Sequence, residues 1–345
     1  MTEAERRALG ASEIRVSGLG VGTDSWGSKL LGYGKRFGDD DLYEAYRASL
    51  EAGIDFFDTA PGYGKGLSEE LLGRFRKKDG RPILIATKYD NPTGIGPSLA
   101  DSSAKPLPAA LDASLTRLGV ERVDLYLIHF PIPSKRVDEF ADALAAAVES
   151  GKVRAVGVSN FNAPLMRAMH ASLAARGVTL AANEVAFNLV NRKVETNGVL
   201  DACRELKIAL IPYIPLAVGV LTGKYWAGGH KFTSFQRMFF RISELDPFHE
   251  QGSDRKRLPR RLAAKPEVLC DLDPLFTVMQ SVGVAREKSL VQVALNWLLT
   301  ADPLVIPIPG AKNGRQAREN AGALGWRLTD EEREQIDRAE RACRP

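Results

Sequence analysis

One pattern limits the fold more than any other: short β-branched or apolar runs recur along the chain, each followed by a segment with apolar residues at helical spacing. The runs are 19–21, 56–58, 84–88, 123–129, 155–159, 182–186, 209–213 and 305–308, which makes eight strand candidates. Amphipathic helices are expected between them, among them 40–52, 107–118, 137–150 and 290–300. Strict strand–helix alternation predicts a parallel sheet with helical crossovers. Eight units, the early strands entering every ~30 to 40 residues, favour a closed (β/α)8 barrel over an open sheet. No Pro/Gly/Ser-rich linker splits the chain, so 1–345 reads as one barrel domain.

One interval breaks the rhythm. About 90 residues separate the seventh and eighth strand candidates, and the stretch 219–265 is rich in glycine, charge and aromatics. A loop of that length in a compact domain is usually functional or disordered. Phe235, Met238, Phe239 and Ile242 have helical spacing after Thr233 and Ser234, and a further helix is expected over 272–282. Arg255, Lys256, Arg257, Arg260, Arg261 and Lys265 form a basic run there, which is either solvated loop surface or a contact for a cofactor phosphate.

Composition enters by exclusion. A net charge of +4 demands no nucleic-acid footprint, and no stretch approaches the ~20 apolar residues of a membrane span. The first ten residues carry Glu3, Glu5, Arg6 and Arg7 and lack a secretory core. Three scattered cysteines, Cys203, Cys270 and Cys343, suit neither a disulfide framework nor a zinc spacing, so the expected compartment is the reducing cytoplasm and no metal is expected. Gly18, Gly20 and Gly22 suggest a dinucleotide fingerprint, but Thr23 stands where the next required glycine belongs.

The chemistry lies at the strand ends. Asp58 ends the second strand candidate, Lys88 the third and His129 the fourth, and Tyr63 follows Asp58 by five positions. Singly, each has a structural explanation: a helix cap, a solvated strand end, a buried histidine, a rim aromatic. Together they share the C-terminal face of a barrel, where active sites assemble. The four types suit proton delivery to a carbonyl oxygen. A tyrosine with pKa ~10 is a poor acid, a neighbouring ammonium stabilises its phenolate, a carboxylate holds the ammonium, and a histidine orients the substrate oxygen.

At this point the residues resemble a known family. Gly53-Ile54-Asp55-Phe56-Phe57-Asp58-Thr59-Ala60, Tyr63-Gly64, Ala86-Thr87-Lys88 and Asp124-Leu125-Tyr126-Leu127-Ile128-His129 look like the aldo-keto reductases. Val156-Gly157-Val158-Ser159-Asn160, Pro215-Leu216, Leu221-Thr222-Gly223-Lys224-Tyr225 and Ile308-Pro309-Gly310-Ala311-Lys312-Asn313 extend the match from about Leu9 to Glu340. The nearest branch is that of pyridoxal reductases and potassium-channel β subunits.

The resemblance implies a (β/α)8 barrel with an N-terminal β-hairpin, a long loop between strands 7 and 8 and extra C-terminal helices. It implies a tetrad of Asp58, Tyr63, Lys88 and His129, and an NADPH/NADP+ site. Gly22, Thr23, Asp58, Ser159, Asn160, Glu184 and Tyr213 would lie at the nicotinamide end of that site. Pro215, Leu216, Gly219 and Leu221 would follow, with Gly310, Lys312, Gln316, Glu319 and Asn320 toward the adenosine end. By position, Trp26 and Phe130 either line the substrate pocket with Tyr63 and His129 or are merely packed aromatics. Glu184 departs from the family's usual glutamine; it either faces the nicotinamide or turns away to pair with Arg192 or another cation. The expected activity is reduction of a small-molecule aldehyde or ketone, with no nucleic-acid or membrane partner and the oligomeric state open. An NADPH-binding regulatory subunit with little turnover is the alternative, and a nucleotide-independent barrel hydrolase or isomerase a weaker third.

Overall fold

The computed structural model describes residues 6–90, 106–224, 226 and 272–343. A hairpin of β1 (Arg6–Ala8) and β2 (Arg15–Ser17) precedes a parallel sheet of β3 (Gly20–Gly22), β4 (Phe56–Asp58), β5 (Leu84–Tyr89), β6 (Val123–Ile128), β7 (Val153–Ser159), β8 (Leu180–Ala186) and β9 (Ala209–Tyr213). The strands neighbour one another in chain order, as a barrel requires. Six are followed in turn by α1 (Asp39–Glu51), α2 (Leu67–Asp79), α3 (Leu107–Leu118), α4 (Val137–Glu149), α5 (Ala163–Ala174) and α6 (Val199–Leu206). After β9 come α7 (Asp273–Arg286), α8 (Leu290–Ala301), α9 (Gly314–Ala321) and α10 (Asp330–Ala342). Among the described residues no helix is long and apolar enough to cross a membrane.

The eighth expected strand needs correcting. Residues 305–308 form no continuous ladder, yet they close the barrel: Ile306 and Ile308 donate to Leu210 and Pro212 at 2.9 and 3.1 Å, and Gly20 and Gly22 donate to Pro307 and Pro309 at 2.9 and 3.2 Å. The cause is proline chemistry. The backbone nitrogens facing β3 belong to Pro307 and Pro309 and carry no hydrogen, so this seam is bonded in one direction only. The helix expected over 272–282 is α7. The rest of the long loop, with the expected short helix near 235–242, the basic run 255–265 and Cys270, lies outside the described residues.

Side-chain alternation divides the core. Odd and even strand positions pack either outward under the helices or inward along the axis. The inward cluster holds Phe56, Ala86, Leu125, Leu127, Ala155, Ala182, Ala209, Ile211, Ile306 and Ile308. Leu9, Ile14 and Val16 of the hairpin join it, so the hairpin plugs the N-terminal end. Gly10 turns there with φ 60°, and a Cβ would lie 2.3 Å from the Ala181 carbonyl oxygen, so the turn seats against the barrel only as glycine. Arg7 reaches under the same end and donates to the carbonyls of Asp302, at 2.8 Å, and Leu299, at 2.5 Å.

Candidate active site

The inward parity that is apolar below becomes ionisable at the C-terminal end. Ala86 and Lys88 share a face of β5, Phe56 and Asp58 a face of β4, and Ala182 and Glu184 a face of β8. Lys88 is completely buried, and its Nζ donates to Asp58 Oδ1 at 2.6 Å, Asp58 Oδ2 at 2.7 Å, the Thr59 carbonyl at 3.1 Å and the Tyr63 hydroxyl at 3.2 Å. Thr23 fixes the Asp58 backbone from β3's end, its amide and hydroxyl both bonding the Asp58 carbonyl, at 3.0 and 2.8 Å. Tyr63 opens a kinked turn, Tyr63–Gly66, in which Gly64 and Lys65 both have φ 59°. Its position depends on Gly64, where a Cβ would meet the Gly27 backbone at 2.8 Å.

The charges balance within this group. Burial pulls the Lys88 ammonium down, but Asp58, Glu184 and Tyr63 together hold it well above its ordinary range, so Lys88 is a permanent cation. Burial also pushes the Tyr63 phenol well above 10, and Lys88 offsets that rise without overcoming it. The lowering expected of Lys88 is therefore present, and the loss of water around the hydroxyl outweighs it. Glu184 lies 3.4 Å from Lys88 and is 2% exposed. Burial, with repulsion from Asp58, raises its carboxyl to about 8. Arg192 is elsewhere, bonded to Glu195 at 2.5 Å and Asp337 at 2.6 Å, so the cation that Glu184 faces is Lys88 and not Arg192.

His129 stands one residue beyond β6, its backbone amide bonded to the Tyr89 carbonyl at 3.0 Å. Its Nδ1 shares a hydrogen bond with Asp90. Phe130 stacks on the ring with centroids 4.3 Å apart, and Tyr63 meets it edge-on at 6.0 Å. Beside it, Asn160 adopts φ 63°, unusual for a non-glycine residue, and is fastened from all sides. Its Nδ2 donates to the His129 carbonyl at 3.2 Å and to Ser159 Oγ at 3.0 Å, and its Oδ1 accepts from the Tyr213 hydroxyl at 2.8 Å. Ser159 Oγ in turn donates to the Glu184 carbonyl at 3.0 Å. A strained residue held by so many bonds marks a place where the fold spends stability on position.

A second polar patch follows the barrel seam. Positive φ at Ile214 (46°), Ala217 (49°), Val218 (55°) and Gly219 (91°) coils the chain after β9 into a tight turn around Pro215 and Leu216, with Leu221 buried behind it. Beyond the seam, Gly310 is bridged to Gly22, and its carbonyl accepts from Asn320 Nδ2 at 3.2 Å. Asn313 caps α9 by accepting from the Gln316 amide at 3.0 Å, and Gln316 Oε1 accepts from the Lys312 amide at 2.9 Å. Burial lowers the Lys312 ammonium; Asp24 counters this, whereas Arg36 and Lys224 add to it. Glu319 holds the far side of α9, its carbonyl accepting from Gln292 at 3.2 Å.

One expected residue is not brought to the mouth. Trp26 is completely buried, its ring packed on Phe75 (5.6 Å) and Phe57 (6.4 Å) and its indole N–H donated to the Ala311 carbonyl at 3.0 Å. It is a core residue joining the loop after β3 to the seam, which displaces it from the pocket wall. Two residues were missed. Asp90 follows Lys88 by two positions and so shares its inward face, a period-two signal available in the sequence. Asp24 acts on Lys312 through space, which no sequence pattern announces.

A parallel barrel with an aspartate, tyrosine, lysine and histidine converging at its C-terminal mouth defines a class of oxidoreductase, and the chain belongs to the aldo/keto reductase family, whose profile matches residues 18–341. Among similar proteins, the chloroplastic pyridoxal reductase of Arabidopsis thaliana is 34% identical over 339 residues, covering 94% of this chain and 84% of that protein. The L-glyceraldehyde 3-phosphate reductase of Escherichia coli K12 is 32% identical over 332 residues, covering 93% and 88%. Of solved structures, the glycerol dehydrogenase of Gluconobacter oxydans superposes with a TM-score of 0.73 at 26% identity, over 98% of this chain and 95% of that one. A thermostable aldo-keto reductase bound to the inhibitor epalrestat gives 0.69 at 25% identity, over 97% and 99%.

Proposed function

We propose that this protein is an NADPH-dependent carbonyl reductase that converts a small aldehyde or ketone to an alcohol, with Tyr63 as the proton donor. The observation that carries this reading is the Lys88 ammonium, bonded to both Asp58 oxygens and 3.2 Å from the Tyr63 hydroxyl. When bound, the cofactor supplies the hydride that the carbonyl carbon accepts. The carbonyl oxygen then takes the Tyr63 proton, so substrate gains one hydride and one proton. An alkoxide is far more basic than a phenolate, so Tyr63 can donate despite its raised pKa, and Lys88 stabilises the phenolate left behind. Asp58 keeps Lys88 aimed, and His129 orients the substrate oxygen beside Phe130.

The cofactor fits the residues present. Asn160, Ser159 and Tyr213 form a rigid polar cluster able to meet a carboxamide, with Gly22, Thr23 and Glu184 at the same end. The turn carrying Pro215, Leu216, Gly219 and Leu221 leads toward Gly310 and α9. Lys312, its ammonium disfavoured by burial and by the nearby cations Arg36 and Lys224, would donate to a phosphate at a helix N-terminus, with Gln316, Glu319 and Asn320 beside it. The name of one relative, the yakc aldo-keto reductase [NADP(+)] of Schizosaccharomyces pombe, supports the cofactor choice. The experiment is NADPH oxidation followed at the nicotinamide absorbance band with a panel of small aldehydes, including glyceraldehyde- and pyridoxal-type compounds. Carbonyl-dependent oxidation is expected. Tight NADPH binding with no turnover across the panel would instead favour the regulatory-subunit reading.

A further inference from the structure

We propose that Asp90 is a positioning residue for the reaction: it forms with His129 a buried carboxylate–imidazole pair that keeps a proton on Nε2, the ring nitrogen left for the substrate oxygen. This rests on the reductase reading above but concerns a residue outside its tetrad. Asp90 follows β5 directly, two residues after Lys88, and the backbone bond from His129 to Tyr89 sets the two side chains level across the β5–β6 seam. Asp90 is 4% exposed. Its Oδ1 engages His129 Nδ1, and its Oδ2 has no hydrogen-bond partner among the described residues. The ring is further clamped by Phe130 flat against it and Tyr63 edge-on.

The proton inventory decides what such a pair can do. With one proton between Nδ1 and the carboxylate, Nε2 is bare, can only accept, and the pair buries an uncompensated negative charge. With two protons the pair is neutral overall. Nε2 then carries hydrogen whether the shared proton rests on nitrogen or on oxygen. A carboxylate with one oxygen unpartnered and almost no water is poorly suited to the first state, because buried charge must be compensated nearby. The second state gives the donor that a carbonyl oxygen gaining negative charge requires. A histidine without Asp90 would share its single proton between two nitrogens and present a donor only part of the time.

Nitrogen NMR on protein labelled with 15N-histidine, with His129 assigned by its loss in His129→Asn, reads the proton directly. Near neutral pH, His129 Nε2 is expected in the protonated range, with and without NADPH; an unprotonated Nε2 overturns the proposal. In Asp90→Leu, that signal is expected to move toward the tautomer average. With saturating NADPH, kcat should fall about 10- to 100-fold while KM changes less than about threefold and cofactor affinity holds, the split expected of a residue acting on an oriented catalytic group. An unchanged kcat also overturns it. Should Asp90→Leu fail to fold, the wild-type spectrum alone decides. A protonated Nε2 in a protein that turns over no carbonyl would leave this pair standing and sink the reductase reading instead.

Discussion

The two ends of the barrel interior are built from the same inward-facing strand positions and carry opposite chemistry. At the N-terminal end, Leu9, Ile14, Val16, Phe56, Ala86 and Leu125 are buried without a polar atom in their side chains. Two residues further along the strands stand Asp58, Lys88 and, past the strand end, Asp90; Glu184 enters from β8. The apolar end contributes stability through burial and close packing. At the mouth, ions are stripped of water and hold one another in place, which yields position and reactivity rather than net stability. The barrel therefore separates the two tasks by height along one axis, and each end can be tested against the other.

Lys88→Met should produce the largest change, since Lys88 is the buried cation 2.6 Å from the Asp58 carboxylate and 3.4 Å from Glu184. Turnover should fall by at least ~10²–10⁴-fold, the usual contribution of acid–base catalysis. Thermal unfolding should show a loss of ~3–5 kcal/mol unless a carboxylate takes up a proton. Leu125→Ala is the counterpart at the apolar end, where the side chain is completely buried. It should cost ~2–5 kcal/mol in chemical denaturation with kcat per folded molecule nearly unchanged. A large fall in kcat from this variant would break the separation of tasks.

Lys312→Glu should narrow the preference for NADPH over NADH by about tenfold or more in fluorescence titration, because a charge-assisted phosphate contact is replaced by repulsion. Equal affinity for both cofactors in the unmutated protein would remove the role assigned to Lys312. Glu184→Gln should show its effect in the pH dependence of stability. The folded protein holds the Glu184 proton up to about 8 against an ordinary value of 4.5, so it binds more protons than the unfolded chain between those values. Stability from this site is present below the lower value and is lost as pH rises through the upper one. Relative to wild type, Glu184→Gln should therefore melt progressively higher between pH ~5 and ~8. Parallel melting curves across that window would show that Glu184 does not store the proton.

Much of this was legible beforehand because it follows from local rules. The strand–helix rhythm placed the strand ends that carry Asp58, Lys88 and His129 at one face, and α3 was readable at both boundaries from its apolar spacing. The failures have a common cause in tertiary context. The apolar run 305–308 reads as a strand, but its prolines leave the β3 seam half-bonded. Trp26 reads as a pocket wall from its proximity to the first strand end, but Phe57 and Phe75 bury it. The effect of Lys88 on Tyr63 is legible because a neighbouring ammonium is visible in sequence, whereas the larger loss of water around the hydroxyl is not. Asp90 was readable by parity and overlooked because its partner lies 39 residues away.

The most direct test of the account is Tyr63→Phe, measured for both NADPH affinity and carbonyl turnover on one good substrate. The substitution deletes only the hydroxyl that stands 3.2 Å from Lys88 and leaves the ring against His129. NADPH binding should stay near wild type while turnover falls by ~10²–10⁴-fold. Turnover at the wild-type rate would contradict it, because the proton would then come from another group and the converging charges at the barrel mouth would need another purpose.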